Sequence, residues 1–112
     1  MAHRNRLNSR EFDAVFESGQ RLGHKWFTLR VLTLSEGSDD ETRWGFAVGK
    51  RLARSSVERN RLRRRLREAV RPLVMPGAAW CVVQLRTEGV AARPVELREA
   101  IAKALARKGK TE

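Results

Sequence analysis

The chain has one cysteine, few acids and no long apolar run, and each shortage removes a class of explanation. Cys81 alone cannot form an internal disulfide or a cysteine-based metal site. Its setting, "AAWCVVQL", is apolar and reads as an inert core thiol. No apolar stretch approaches the roughly 20 residues that span a bilayer. The opening "MAHRNRLNSREF" lacks the apolar segment of a secretory signal, so a soluble, cytoplasmic protein is expected. Only 13 acidic residues face 24 Lys and Arg, leaving a formal charge of +11 and a pI near 11.4. A field of that sign attracts polyanions, nucleic acid first and an anionic membrane surface second. Arginine outnumbers lysine several-fold, which favours bidentate phosphate contacts.

What is present fits one domain over residues 1–112, with a basic arm at 1–7 and a frayed tail at 108–112. "NSREFDAVFESG" predicts a short helix: Asn8 or Ser9 caps it, Glu11 lies three residues after Asn8, and Gly19 stops it. Phe12, Val15 and Phe16 form its apolar stripe. "WFTLRVLTL" alternates as a strand, with Phe27, Leu29 and Val31 on one face. The acidic turn 35–42 and "RWGFAVGK" then suggest a hairpin, and "QRLGHK" a short edge strand. "AAWCVVQLR" reads as a strand buried on both faces. "RPVELREAIAKALARKG" reads as an amphipathic helix, with Leu97, Ile101 and Leu105 as its seam. The order α-β-β-β-α-β-α makes an α+β fold: a two-layer, four-stranded sheet with three helices.

Between the third strand and the buried one lies "SSVERNRLRRRLREAVRPL", seven arginines against two glutamates. Ser55 and Glu58 fit a capping box and Pro72 ends the helix near Arg71. On a helical wheel Leu62, Leu66, Ala69 and Val70 share one sector, continued by Leu73. Opposite them run Asn60, Arg64, Arg67 and Arg71, with Arg61 and Glu68 beside and Arg59 and Arg63 along the other edge. Like charges such as Arg67 and Arg71 cost a helix a few tenths of a kcal/mol per pair, roughly. Phosphate contacts more than offset that cost, each one also releasing condensed counterions. Lys50, Arg51 and Arg54 extend the same surface. Asn60 is a poor helix-interior residue; it reads a base edge or a ribose hydroxyl, holds a hydrated metal bound by RNA, or bonds its own backbone.

"GFAVGKRLARSSVERNRLRRRLREAVR" resembles the signature region of the bacterial ribonuclease P protein family: a strand, a Lys-Arg pair, a loop, then Arg-Asn-Arg, a basic pair and Arg-Glu. "REFDAVFESGQR" is similar to the family's first helix, and "RNRL" at 4–7 to its basic N-terminal stretch. The resemblance runs from about residue 4 to 107. It implies the family's left-handed βαβ crossover around the Arg-Asn-Arg helix. It implies binding to a large catalytic RNA that removes the 5′ leader from precursor tRNA, the RNA carrying the chemistry and most of the Mg2+, with the protein lowering the magnesium required. Arg59, Asn60, Arg61, Arg63, Arg64 and Arg67 would face that RNA. A cleft between the first helix and the sheet, with Phe12, Phe16, Lys50 and Arg51, would hold the single-stranded leader. Stacking in a positive groove suits a single strand, although both phenylalanines also fit a core. The chain departs from the family twice. Arg65 replaces an aliphatic residue, implying a less buried turn, and Arg30 stands where some members place an aromatic on the cleft strand.

No protein catalytic residue or metal site emerges. His3 and His24 are isolated, and Asp39, Asp40 and Glu41 cluster in a turn. "GFAVGK" is too short between its glycines for a phosphate loop. A small-molecule substrate and a membrane partner are not expected. A ribosomal-type RNA-binding protein is the alternative; the strands before the basic helix argue against a DNA-binding helix-turn-helix.

Overall fold

The computed structural model describes residues 6–34, 42–73 and 78–108. Helix α1 (Ser9–Ser18) is followed by strands β1 (Gln20–Gly23), β2 (Phe27–Thr33) and β3 (Arg43–Ala47). Helix α2 (Ser56–Val70), strand β4 (Ala79–Leu85), a 3-10 turn at Thr87–Gly89 and helix α3 (Pro94–Lys108) complete the order. Asn8 caps α1 through a full capping box with Glu11, its side chain accepting the Glu11 N–H at 2.8 Å while Glu11 accepts the Asn8 N–H at 2.9 Å. At the start of α2 the Ser55 hydroxyl accepts the Glu58 N–H at 3.1 Å. Arg71 is the C-cap of α2, directly before Pro72.

The four strands form one mixed sheet in the order β1-β2-β4-β3. β1 pairs with β2 and β2 with β4, both antiparallel; β3 pairs with β4 in parallel. The expected hairpin between β2 and β3 is therefore wrong, because β4 lies between them. The cause is the composition of β4. Ala79, Cys81, Val82, Val83 and Leu85 are all buried, so this strand needs partners on both edges and cover on both faces. β3 then reaches β4 through the α2 crossover. The turn expected at 35–42 lies outside the described residues except for Thr42.

The main core lies between one face of the sheet and helices α2 and α3. Phe27, Leu29, Val31, Cys81, Val83 and Leu85 meet Leu62, Leu66, Ala69 and Val70 from α2 and Leu97, Ile101 and Ala104 from α3. Leu105 packs on its margin. This is the two-layer body. α1 sits on the opposite face, where Phe12 lies against Gly45 and Phe16 beneath Arg30. It covers only part of that face. Cys81 is a buried free thiol.

Arginine side chains tie the elements together. Arg98 on α3 donates to the Ala69 and Glu68 carbonyls at 3.0 and 3.3 Å, satisfying groups that the end of α2 leaves open. Arg65, expected to mark a less buried turn, is half-buried and donates to the Val90 and Ala92 carbonyls at 2.5 and 3.5 Å. It clamps α2 to the segment entering α3. Of the arm at 1–7, Arg6 and Leu7 are described: Arg6 bridges to Trp44, and the Leu7 N–H donates to the Trp44 carbonyl at 3.4 Å. No helix among the described residues is long and apolar enough to cross a membrane.

Candidate nucleic-acid interface

The wheel drawn from the sequence holds on α2. Leu62, Leu66, Ala69 and Val70 are buried, whereas Asn60, Arg61, Arg64, Arg67, Glu68 and Arg71 are exposed and Arg59 and Arg63 half-buried. One face anchors the helix to the sheet and the other carries guanidinium groups to solvent. These groups are not equivalent. Arg64 and Arg71 project freely along the stripe. Arg67 lies over the Phe46 ring, 5.8 Å from its centroid. Partial burial, with Arg6 and Arg64 nearby, lowers its affinity for the proton below the ordinary arginine value.

Arg59 turns inward. Its Nη1 donates to the Ala53 and Arg54 carbonyls, both at 2.9 Å, and so fixes the loop that carries Lys50, Arg51 and Arg54. Those three side chains are exposed. Arg63 Nη1 donates to Asn60 Oδ1 at 2.8 Å. Asn60 therefore neither points at its own backbone through that oxygen nor offers it freely. Its amide N–H groups remain on the exposed stripe as donors.

On the far face of the sheet, Phe12 and Phe16 stack with ring centroids 5.2 Å apart. Neither belongs to the main core, and Phe16 is 39% exposed, which makes these rings a wall rather than filling. Gly45 permits the approach of Phe12: a Cβ there would meet the ring at 2.9 Å and Leu7 at 3.2 Å. Glu11 joins α1 to the sheet edge through Arg43, 2.9 Å away. Arg30 rises from β2 into this cleft, its guanidinium 4.2 Å from the Phe16 centroid and its Nη1 donating to Gln84 Oε1 at 2.7 Å. An open groove of about 600 Å3 continues past the C-terminal ends of β3 and β4, lined by Phe12, Arg51, Arg63, Gln84 and Arg86 among others. It brings one wall of the cleft beside the start of the arginine helix.

Sequence reasoning missed Gln84, Arg86 and the inward turn of Arg59. Gln84 had a signal, being the polar residue in an otherwise apolar strand; the direction of Arg59 had none. His24 stacks on Phe27 at 4.6 Å and accepts the Trp26 N–H at Nδ1. Burial, then Lys25 and Arg107, lower its pKa. Among the described residues no three His, Cys, Asp or Glu side chains come together as a metal cluster.

The model of the family described as Ribonuclease P matches residues 1–109. The chain belongs to the ribonuclease P protein family. Similar curated proteins, each called ribonuclease P protein component, include one from Rippkaea orientalis, 39% identical over 66% of this chain and 63% of its own length. One from Chloroflexus aggregans is 43% identical over 66% of this chain and 53% of its own length. The match thus spans between half and two thirds of these relatives. The ribonuclease P protein from Thermotoga maritima superposes with a TM-score of 0.74 at 27% identity, covering 91% of this chain and 96% of that one. The Staphylococcus aureus protein, 19% identical with a TM-score of 0.73, shares the fold. The three helices and four-stranded mixed sheet are those expected of an α+β member of this family.

Proposed function

We propose that the chain is the protein subunit of ribonuclease P, binding the catalytic RNA and the 5′ leader of precursor tRNA during endonucleolytic removal of that leader. The observation that carries this reading is the pairing of two unlike surfaces around one groove. An exposed arginine stripe on a firmly docked helix suits the phosphates of a folded RNA. The groove lined by Phe12, Arg51 and Gln84, with Phe16 and Arg30 stacked on each other next to Phe12 and Gln84, suits unpaired bases, which stack on aromatic rings and guanidinium planes.

In this reading Arg61, Arg64, Arg67 and Arg71, with the Asn60 amide, engage the catalytic RNA. Lys50, Arg51, Arg54 and Arg63 continue that contact toward the groove, and Arg59 positions them. Phe12, Phe16 and Arg30 receive the leader. The RNA supplies the catalytic groups and binds most of the Mg2+; the added cationic surface lowers the magnesium needed to hold two polyanions together. The protein works in the cytoplasm with these RNAs.

A ribosomal-type RNA-binding protein would share the charge but has no use for a separate leader cleft. Salt dependence does not separate the two, because both lose affinity as salt rises. Comparing holoenzyme affinity for leader-bearing and mature tRNA does. The subunit reading expects clear preference for the leader-bearing form, lost in Phe16→Ala; equal affinity for both forms favours the ribosomal-type reading.

A further inference from the structure

We infer that Trp44 and Phe46, with Arg6, Arg64 and Arg67 around them, form a separate nucleotide site at the outer edge of β3. Its ligand is one unpaired nucleotide of the catalytic RNA, the base stacked on Trp44 and the phosphate held by the arginines. This rests on the catalytic-RNA reading above. It adds a base contact that lies off the arginine helix and away from the leader cleft.

The site is on the opposite face of the sheet from Phe12 and Phe16. Gly45 points toward α1, where a Cβ would meet the Phe12 ring, so its neighbours Trp44 and Phe46 point to the α2 side. β3 is the last strand of the sheet, and the end of the N-terminal arm bridges to it. Arg6 is level with Trp44 in that parallel bridge, which sends both side chains to one face. Leu7, the next residue, reaches Gly45 on the other face. The arm therefore brings a cation to a face where α2 already places Arg64 and Arg67. Arg6 and Arg64 both lie close enough to Arg67 to disfavour its charged form.

Three guanidinium groups from two parts of the chain thus converge, and among the described residues no carboxylate pairs with any of them. Such a cluster is self-repelling until an anion enters it. The rings beneath say which anion. Trp44 and Phe46 are half-buried, with planes 5° apart and centroids 6.5 Å apart. Both rest on the margin of the core. Arg67 lies over Phe46, whereas among the described residues no cation is stacked on Trp44. A phosphate alone has no use for a part-exposed indole; a nucleotide uses both the ring and the charge. Bases in a duplex are already stacked on one another, so the fitting base is an unpaired one.

The test uses the full chain and a bacterial ribonuclease P RNA. Affinity is measured across a salt series, and bases in the complex are probed with dimethyl sulfate and carbodiimide. Trp44→Leu is expected to weaken binding roughly tenfold with an unchanged salt slope, and Trp44→Phe to keep most of the affinity. One unpaired base should be shielded by the parent and by Trp44→Phe and become reactive in Trp44→Leu. Because Trp44 also packs on the core, melts accompany each variant, and Arg6→Ala removes only an exposed side chain. Arg6→Ala should lower the salt slope by about one phosphate contact and expose the same base in part. Unchanged affinity in a folded Trp44→Leu, or no base whose reactivity follows Trp44 and Arg6, overturns the inference and leaves the subunit reading intact. Failure of the parent chain to bind any bacterial ribonuclease P RNA instead removes the reading on which it rests.

Discussion

Two arginines five residues apart on the basic helix illustrate how differently similar residues are used. Arg64 projects to solvent, whereas Arg59 spends its Nη1 on the Ala53 and Arg54 carbonyls. Arg64→Ala is expected to leave the melting temperature unchanged and to weaken RNA binding, reducing the salt slope by about one phosphate contact. Arg59→Ala is expected to cost about 1 kcal/mol of stability as well, since charge-assisted bonds to backbone carbonyls are lost. Titrations of catalytic-RNA affinity against salt, beside thermal melts, distinguish the two. The wheel identified which arginines oppose the apolar sector. It could not show that Arg59 folds back onto its own loop, because that depends on where the loop carbonyls fall in three dimensions.

His24 gives a residue-scale test of stability. Its folded-state pKa is lowered by burial, Lys25 and Arg107, so the unfolded chain takes up the proton first as pH falls. Stability contributed by neutral His24 is therefore present above the unfolded value of about 6.5 and declines below it until the folded group also protonates. The melting temperature should fall between pH 7 and pH 5 more steeply for the parent than for His24→Gln. Equal slopes would contradict the assignment.

At the scale of elements, helices were legible because their signals are local. Asn8 and Glu11 form the box that their spacing implies, and Leu62, Leu66, Ala69 and Val70 bury the sector that their period defines. Strand pairing was not. The pattern of "RWGFAVGK" fixes a strand and its faces but not its neighbour, and the neighbour was decided by β4, which is more apolar than either β2 or β3. The departure at Arg65 became a clamp because α2 lies against the Val90–Ala92 segment, a contact 25 residues away in sequence. The cleft likewise depends on how closely α1 approaches the sheet. Gly45 allows that approach, and Gly45→Ala drives a methyl to 2.9 Å from the Phe12 ring. The substitution should cost roughly 1–3 kcal/mol of stability. It should also weaken leader-bearing tRNA more than mature tRNA, read from melts and paired affinities; an equal loss on both would separate α1 from the leader.

For the whole molecule, the charge of +11 and the sheet with helices on both faces describe one design: a rigid scaffold that presents cations on one helix and aromatics across the sheet edge. The central claim is that this scaffold serves an RNA that performs the cleavage. The direct measurement is cleavage of precursor tRNA by a bacterial ribonuclease P RNA at low magnesium, with and without this protein, and with the protein alone. Leader release only when RNA and protein are combined is the predicted result, with Arg64→Ala needing more magnesium to reach the same rate. Unchanged RNA activity on adding the protein, or cleavage by the protein alone, would contradict the account.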